Sequence, residues 1–192
     1  MGAFTTRALT KEEFQKIIKT IENGFRYAGI NHRPNKQIAE VLILQANLGM
    51  RIADILHMSL SDIVKDGEHY RLDITEQKTL KKRIYIVPDE LYTHIEYYCL
   101  LNKINPHRRL FEFTERAVQK ILKSACQFLG LENISTHSFR KFAACQIYEN
   151  SGRDIEATRE FLQHESVTTT QRYIKRSRCQ LERAICASVN LV

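Results

Sequence analysis

The sequence predicts a mainly helical domain with one small antiparallel β-sheet, an α+β fold. Apolar residues recur mostly at the spacing of amphipathic helices. Between residues 69 and 87 polar and apolar side chains alternate instead, and β-branched and aromatic residues are frequent, as in strands. No internal repeat or compositional shift marks a linker. We therefore expect a single domain over residues 1–192, with a tail at 178–192 and with residues 1–3 as a candidate vector-derived leader.

The N-terminal part of the sequence is predicted to be helical. Thr10 and Glu13 form a capping-box pattern at the start of "TKEEFQKIIKTIENG", and Gly24 indicates its end. After a loop, the strongly apolar "NKQIAEVLILQANLG" predicts a second helix that ends at Gly49. The short helix "RIADILHM" follows at once, and residues 59–62 are expected to form a turn.

The predicted sheet consists of "HYRLDIT" and "RIYIV", joined by the basic connection "EQKTLKK". This pattern is typical of a β-hairpin with a lysine-rich tip. Beyond it the chain is expected to be helical again, with "CQLERAICASV" as a final candidate helix. The intervening helices are predicted at 89–103, 114–129, 138–150, 154–163 and 167–177.

Composition narrows the classes of function. The 29 Lys and Arg against 22 Asp and Glu give a net charge of +7, which favours a polyanionic partner, nucleic acid first and an anionic membrane surface second. No apolar run approaches the roughly 20 residues of a membrane-spanning helix. The five cysteines contain no C-x-x-C pair and are interpreted as reduced thiols of a cytoplasmic protein, not as a zinc site.

Several residue types suit the cleavage of a phosphodiester without metal. That reaction needs a nucleophile, positive donors for the charge on the non-bridging oxygens, and an acid for the leaving oxygen. Arg51, just past Gly49, has the planar fork that binds phosphate, and Asp54 three residues later is expected to orient it. His137 and Arg140 share one face of a helix start, where free N–H groups favour anions.

The stretch "LQHESVTTTQRY" holds the candidate nucleophile. Tyr173 lies among Arg172, Lys175 and Arg176, whose charge favours the phenolate, and His164 precedes it by nine residues. Lys78 in the hairpin connection is the candidate acid, although spacing alone does not separate it from Lys81 or Lys82. Each residue alone also has an ordinary explanation: a solvated helix charge, a charge-rich turn, or a tyrosine packed by its ring.

Together and in this order, these residues resemble the catalytic domain of tyrosine recombinases, the phage integrase family. The matching stretches are "LGMRIADILHMSLSDI", "TEQKTLKKRIYIVP", "THSFRKFAA" and "LQHESVTTTQRYIK". The resemblance implies the fold of that catalytic domain. It also implies that Tyr173 attacks the scissile phosphate and forms a 3′-phosphotyrosyl link, and that neither a metal nor a nucleotide cofactor takes part.

The resemblance assigns a role to each of the other residues. Arg51 and Arg140 would clamp the phosphate, and His164 would donate a hydrogen bond to it. Lys78 would act as general acid, and His137 as acid–base partner of the tyrosine. The sequence departs from the commonest family pattern at three positions: Asp54 replaces Glu, Lys141 replaces a second His, and Gln163 replaces Gly.

The resemblance also implies partners. Double-stranded DNA is the expected substrate, with assembly into a tetramer on DNA and a monomer without it, and with no membrane or small-molecule substrate. N-terminal DNA-clamping domains of the family are not contained in residues 1–192, and the tail resembles the segment that family members pass to a neighbouring subunit. Two alternatives are a type IB topoisomerase, which relaxes one DNA, and a helical DNA-binding module without chemistry.

Overall fold

The computed structural model describes residues 6–78 and 80–174. Its first helix, α1 (Lys11–Asn23), begins as predicted at Thr10, whose side chain accepts from the N–H of Glu13 while the Glu13 carboxylate accepts from the N–H of Thr10. A two-stranded antiparallel sheet of β1 (Phe25–Tyr27) and β2 (Ile30–His32) follows. This hairpin was missed by the sequence prediction, which had a loop there, because three-residue strands are too short to show alternation.

The apolar segment forms α2 (Lys36–Leu48), and Gly49 ends it in the left-handed conformation, as predicted. The short α3 (Ile52–His57) and a 3-10 turn (Leu60–Asp62) come next. Because α2 is apolar around most of its circumference, it lies in the interior, packed against both α1 and the later helix α6.

The main sheet has three antiparallel strands in the order β3–β4–β5. Strands β4 (His69–Thr75) and β5 (Lys82–Val87) match the predicted hairpin, and β3 (Ile63–Asp66) is an additional edge strand. Leu72 and Val87 face the core, and alternate residues such as Ile84 and Ile86 are exposed. Residues 76–81, which we call the lysine loop, connect β4 to β5.

Five further helices complete the described chain: α4 (Asp89–Asn102), α5 (Glu115–Phe128), α6 (Thr136–Asn150), α7 (Ile155–Leu162) and α8 (Val167–Ile174). Their positions agree with the sequence prediction to within about two residues where the structure describes them. The predicted final helix, the tail at 178–192 and residues 175–177 lie outside the described residues. None of the described helices is long and apolar enough to cross a membrane.

One hydrophobic core joins these helices. Ile17 and Ile21 of α1, Leu42 and Leu44 of α2, and Phe139 of α6 are almost completely buried in it. Helices α7 and α8 pack on α6 beside this core. As a result the C-terminal ends of α2 and α7 and the N-terminal half of α6 lie close to the start of β5, and this is the place where most of the candidate site residues meet.

Candidate active site

Two arginines are held by the carbonyl ends of helices. Arg140 of α6 donates from Nη1 to the carbonyl of Gly49 at 2.8 Å and from Nη2 to that of Leu162 at 2.6 Å. Arg83 of β5 donates from Nη2 to the carbonyls of Leu48, at 3.1 Å, and Phe161, at 2.7 Å. The last carbonyls of a helix have no partner within the helix and carry partial negative charge. The ends of α2 and α7 therefore fix both guanidinium groups.

Glu76 joins a third arginine to this group. Its carboxylate accepts from Nη1 of Arg51 and, at 3.3 Å, from Nη1 of Arg83. Both Glu76 and Arg83 are fully buried, whereas the side chain of Arg51 keeps about a quarter of its surface exposed. We call Arg51, Arg83 and Arg140 the arginine cluster. Three positive groups around this carboxylate leave an excess of positive charge.

The expectation that Asp54 orients Arg51 was wrong. Asp54 is buried in α3, and its Oδ1 accepts from the backbone N–H of Gln77 at 2.8 Å, while its Oδ2 has no partner among the described residues. Arg51 lies at the N-cap of α3 and pairs with Glu76 of the lysine loop instead. Asp54 therefore holds the lysine loop, and Glu76 is the carboxylate that orients Arg51.

Gly49 permits the close packing at this point. It has a φ of 59°, and a Cβ atom added there would lie 2.4 Å from Cε1 of the Phe161 ring. Any side chain would thus push α7 away from the end of α2. Glycine at this position keeps the Gly49 carbonyl and the Leu162 carbonyl close enough to be bridged by the single guanidinium of Arg140.

His164 is fixed directly after α7. Its N–H donates to the carbonyl of Arg159, and its carbonyl accepts from Nη1 of Arg159 at 3.0 Å. The preceding Gln163 adopts the left-handed conformation, with a φ of 51°, and its Nε2 donates to the carbonyl of Lys82 at 2.8 Å. That bond explains how a residue other than glycine is held here. The imidazole Nδ1 of His164 lies 3.1 Å from Oγ1 of Thr170.

Tyr173 of α8 reaches the same place. Its ring packs edge-to-face against the imidazole of His164, with the centroids 4.7 Å apart. The Nζ of Lys141 lies 5.3 Å from the centroid of the Tyr173 ring. The start of α8 is set by Ser166, whose Oγ accepts from the N–H of Thr169 at 3.4 Å. The candidate nucleophile thus lies beside one candidate phosphate-binding residue.

His137 and Lys78 lie at the edge of the site. His137 is in the first turn of α6, where Ser135 caps the helix, and Arg140 follows one turn later. Partial enclosure of the His137 ring lowers its pKa, and the charges of Arg140, Lys141, Arg51 and Lys78 lower it further. The side chain of Lys78 is itself exposed.

The positive cluster perturbs the buried groups as well. Burial lowers the pKa of His164 to about 4, with Arg140, Arg51 and Arg83 acting in the same direction. Burial also lowers the pKa of Arg140 to about 10, and repulsion from Arg83 and Arg51 adds to this effect. Both shifts favour forms with less positive charge, because burial and the neighbouring arginines disfavour a further positive charge.

The structure therefore brings Arg51, His137, Arg140, His164 and Tyr173 together, with Lys78 on the adjoining loop. Sequence reasoning missed the supporting residues Glu76 and Arg83, and it singled out Lys141 only as a departure from the commonest family pattern. One signal for Arg83 was available in the sequence. Residues 83 and 85 of β5 face the same side of the sheet as the buried Val87, and an arginine on such an inward face is unusual because these positions are normally apolar. No local pattern distinguished Glu76.

Comparison with known proteins agrees with this site. The model of the phage integrase family matches residues 7–178. The chain is 32% identical over 145 residues to the probable integrase/recombinase YoeC of Bacillus subtilis (strain 168), covering 73% of this chain and 78% of YoeC. It is 24% identical over 191 residues to the tyrosine recombinase XerC of Caldanaerobacter subterraneus subsp. tengcongensis, covering 92% of this chain but 49% of XerC.

Solved structures show the same fold. The XerH site-specific recombinase bound to a palindromic difH substrate, in a post-cleavage complex, superimposes with a TM-score of 0.71 at 20% identity, over 96% of this chain and 53% of XerH. The catalytic domain of bacteriophage HP1 integrase gives a TM-score of 0.62 at 19% identity, over 95% of each chain. The predicted fold class is thus confirmed, and neither alternative function is favoured.

The chain spans about half the length of the XerC and XerH proteins that it matches. Within that span the family match covers nearly all the described residues, including every candidate site position. The chain therefore belongs to the phage integrase family, that of the tyrosine site-specific recombinases, and has the fold of their catalytic domain.

Proposed function

We propose that this chain cuts and rejoins double-stranded DNA in site-specific recombination, with Tyr173 as the nucleophile. The observation that carries the proposal is the convergence of Tyr173 and His164, with rings 4.7 Å apart, beside an arginine cluster with excess positive charge. A phosphodiester is an anion that gains negative charge on attack, so such a site stabilises the transition state more than the free DNA.

The proposed reaction has two balanced halves. The phenol oxygen of Tyr173 forms a bond to phosphorus as the bond to the 5′-oxygen breaks, which leaves a 3′-phosphotyrosyl link and a 5′-hydroxyl. His137 accepts the phenol proton and Lys78 gives a proton to the leaving oxygen. Arg51 and Arg140 bind the non-bridging oxygens. Attack by the 5′-hydroxyl of a second strand reverses these steps and releases the tyrosine.

Protonation states support these roles. The lowered pKa of His137 keeps its imidazole neutral near pH 7, the form that accepts a proton. With a pKa of about 4, His164 is also neutral, so it contributes a hydrogen bond and no positive charge of its own. If Thr170 donates to Nδ1, the Nε2–H of His164 is the donor for the phosphate.

Ion pairs support Lys78 over its neighbours as the acid. Lys81 pairs with Glu165 at 2.8 Å, and Lys82 pairs with Asp73 at 3.2 Å. Lys78 has no such pair among the described residues, and its charge reaches His137. An exposed lysine on a short loop is free to approach a leaving oxygen once DNA is bound.

A covalent trapping experiment tests the proposal. The protein is mixed with a library of nicked duplexes with random sequence around the nick, so that the fragment carrying the 5′-hydroxyl diffuses away after attack. We expect a protein–DNA adduct that disappears in Tyr173→Phe, while DNA binding is retained. Tyr97→Phe, at an exposed tyrosine of α4, is the matched control and keeps the adduct. An adduct that persists in Tyr173→Phe would place the nucleophile elsewhere.

The leaving-group role of Lys78 is tested separately. Lys78→Ala should slow cleavage by roughly 10²-fold or more, because general acid catalysis contributes that much. A substrate with a bridging 5′-sulfur, which needs no proton to leave, should restore most of the rate. Lys81→Ala and Lys82→Ala are the controls and should show no such rescue. Rescue in either of them would move the acid to that residue.

Four strands are cut when two duplexes recombine, so we further infer assembly of four copies on DNA and a monomer without DNA. Light scattering with and without the trapped duplex distinguishes these states. We also infer that the protein acts in the cytoplasm, where thiols stay reduced. The free cysteines Cys99, Cys126 and Cys145 agree with that compartment.

A further inference from the structure

Lys141 touches the candidate nucleophile without belonging to the proposed catalytic set. It follows Arg140 on α6, and its ammonium lies 5.3 Å from the centroid of the Tyr173 ring. The same ammonium donates to the backbone carbonyl of Thr6. Burial lowers the pKa of Lys141, and no carboxylate in the part of the chain that the structure describes forms an ion pair with it.

The second contact of Lys141 is with a firmly held segment. The N–H of Arg7 donates to the carbonyl of Asn133 at 3.0 Å, just before α6. The guanidinium of Arg7 forms two bonds of 2.6 and 2.7 Å to the carboxylate of Glu13 in α1. Arg7 is therefore anchored to α1 and to the loop before α6, and the carbonyl of the adjoining Thr6 is the acceptor of the Lys141 ammonium.

A cation over an aromatic ring attracts it and also restricts the ring's position. Tyr173 meets His164 with its ring edge-to-face and meets the ammonium of Lys141 as well. Helix α8 packs on α6 and α7, and Lys141 of α6 adds a direct contact with the ring of Tyr173 itself. Lys141 therefore supplies an orienting contact that comes from outside α8.

We propose that Lys141 is a positioning residue, which holds the Tyr173 ring beside His164 and links its orientation to the anchored segment at residues 6 and 7. The proposal rests on the proposed function, because it assumes that Tyr173 is the nucleophile. It goes further in assigning a task to a residue at which this sequence departs from the commonest family pattern. Movement of the segment at residues 6 and 7 would reach the nucleophile through this single side chain.

The test compares Lys141→Met, Lys141→Gln and Lys141→Arg with Lys123→Met, which removes the same charge from an exposed position of α5. Single-turnover cleavage of the trapped nicked duplex is measured at saturating DNA, together with DNA affinity and thermal midpoint. In a second measurement Tyr173 is replaced by 3-fluorotyrosine, and its fluorine NMR signal reports the charge beside the ring without requiring activity.

We expect Lys141→Met and Lys141→Gln to cleave about 3- to 30-fold more slowly than Lys123→Met, the range that one cation–ring contact allows. Their DNA affinity should equal that of Lys123→Met. Lys141→Arg should restore the rate to within about threefold, because a guanidinium makes both contacts. The fluorine signal should move in the Met and Gln variants and stay in place in Lys123→Met.

Equal or faster cleavage in the Met and Gln variants would overturn the proposal, and so would an unmoved fluorine signal. A rate loss with lower thermal midpoints that Lys141→Arg fails to repair would also overturn it, since it would indicate a merely structural role. Failure of the proposed function can be told apart from failure of this proposal. If the proposed function is wrong, the unsubstituted protein forms no Tyr173-dependent adduct, and the fluorine comparison still reports the contact between Lys141 and Tyr173.

Discussion

Arg83 has no exposed surface, yet it carries a full positive charge near the start of strand β5. A charge in such a place is tolerated only if partners replace the water it loses. Glu76 and the carbonyls of Leu48 and Phe161 are those partners. Because the same carboxylate also holds Arg51, the buried pair links the stability of the fold to the position of a phosphate-binding residue.

At this scale we predict that Glu76→Gln destabilises the protein by about 3–5 kcal/mol, because it leaves the buried charge of Arg83 without its counter-charge. Urea unfolding followed by circular dichroism measures the change. Asp66→Asn breaks an exposed pair with Arg71 and should cost less than about 1 kcal/mol. If Glu76→Gln lowers the free energy of unfolding as little as Asp66→Asn does, the Glu76 carboxylate does not have the role given to it.

His164 predicts a pH dependence of stability. With its pKa at about 4 in the folded state and about 6.5 in the unfolded state, the unfolded chain binds the extra proton between these values. The free energy of unfolding should therefore fall as the pH drops from about 6.5 to about 4, by up to roughly 3 kcal/mol from this residue.

The contribution of His164 is isolated by substitution. His164→Gln should flatten this part of the profile, while His107→Gln, in an exposed loop, should keep the wild-type slope. Urea titrations at several pH values give both slopes. An unchanged slope in His164→Gln would assign the pH dependence to other groups, of which the partly enclosed His137 is the first candidate.

Elements rather than single residues decide where the cations lie. The carbonyl ends of α2 and α7 meet because Gly49 leaves room for Phe161, and the two ends together orient Arg83 and Arg140. A third element, the lysine loop, is attached to α3 through Asp54 and the N–H of Gln77. The lysine loop is thus fixed at Gln77, the residue directly before the proposed acid Lys78.

At the element scale, Asp54→Ala should slow cleavage of ordinary DNA by about 10- to 100-fold, because it releases the loop that positions Lys78. The bridging 5′-sulfur substrate should be affected much less, since its leaving group needs no acid. Asp66→Ala, at the other end of the sheet, is the matched control. Equal slowing of both substrates by Asp54→Ala would show that Asp54 acts through some other part of the site.

For the whole molecule, the net charge of +7 matters most for affinity. If the chain contacts about four to six phosphates, its DNA affinity should fall roughly 10²- to 10³-fold between about 50 and about 200 mM salt. Fluorescence anisotropy of a labelled duplex measures this slope. Arg51→Gln should remove about one phosphate contact and so reduce the slope of log affinity against log salt concentration by about 1. Affinity independent of salt would argue against binding along the phosphate backbone.

The sequence by itself determined the local elements and the chemistry available in them. Thr10 with Glu13, Gly49 and the alternation of residues 69–75 are signals between near neighbours, and the structure confirms the elements they predicted. The family pattern further supplied a set of candidate residues, and their catalytic roles stay predictions. Short elements such as β1, β2 and β3 were missed because a few residues carry too little periodicity.

Only the tertiary structure decided which side chains meet. Arg51 and Glu76 are 25 residues apart, Arg140 and Gly49 are 91 apart, and Lys141 and Thr6 are 135 apart. Such contacts depend on how the helices pack, and no pattern within a single segment encodes them. For the same reason the partner of Asp54 was predicted wrongly. Local periodicity reflects backbone and solvent preferences, whereas the balance of buried charge exists only after the elements have packed together.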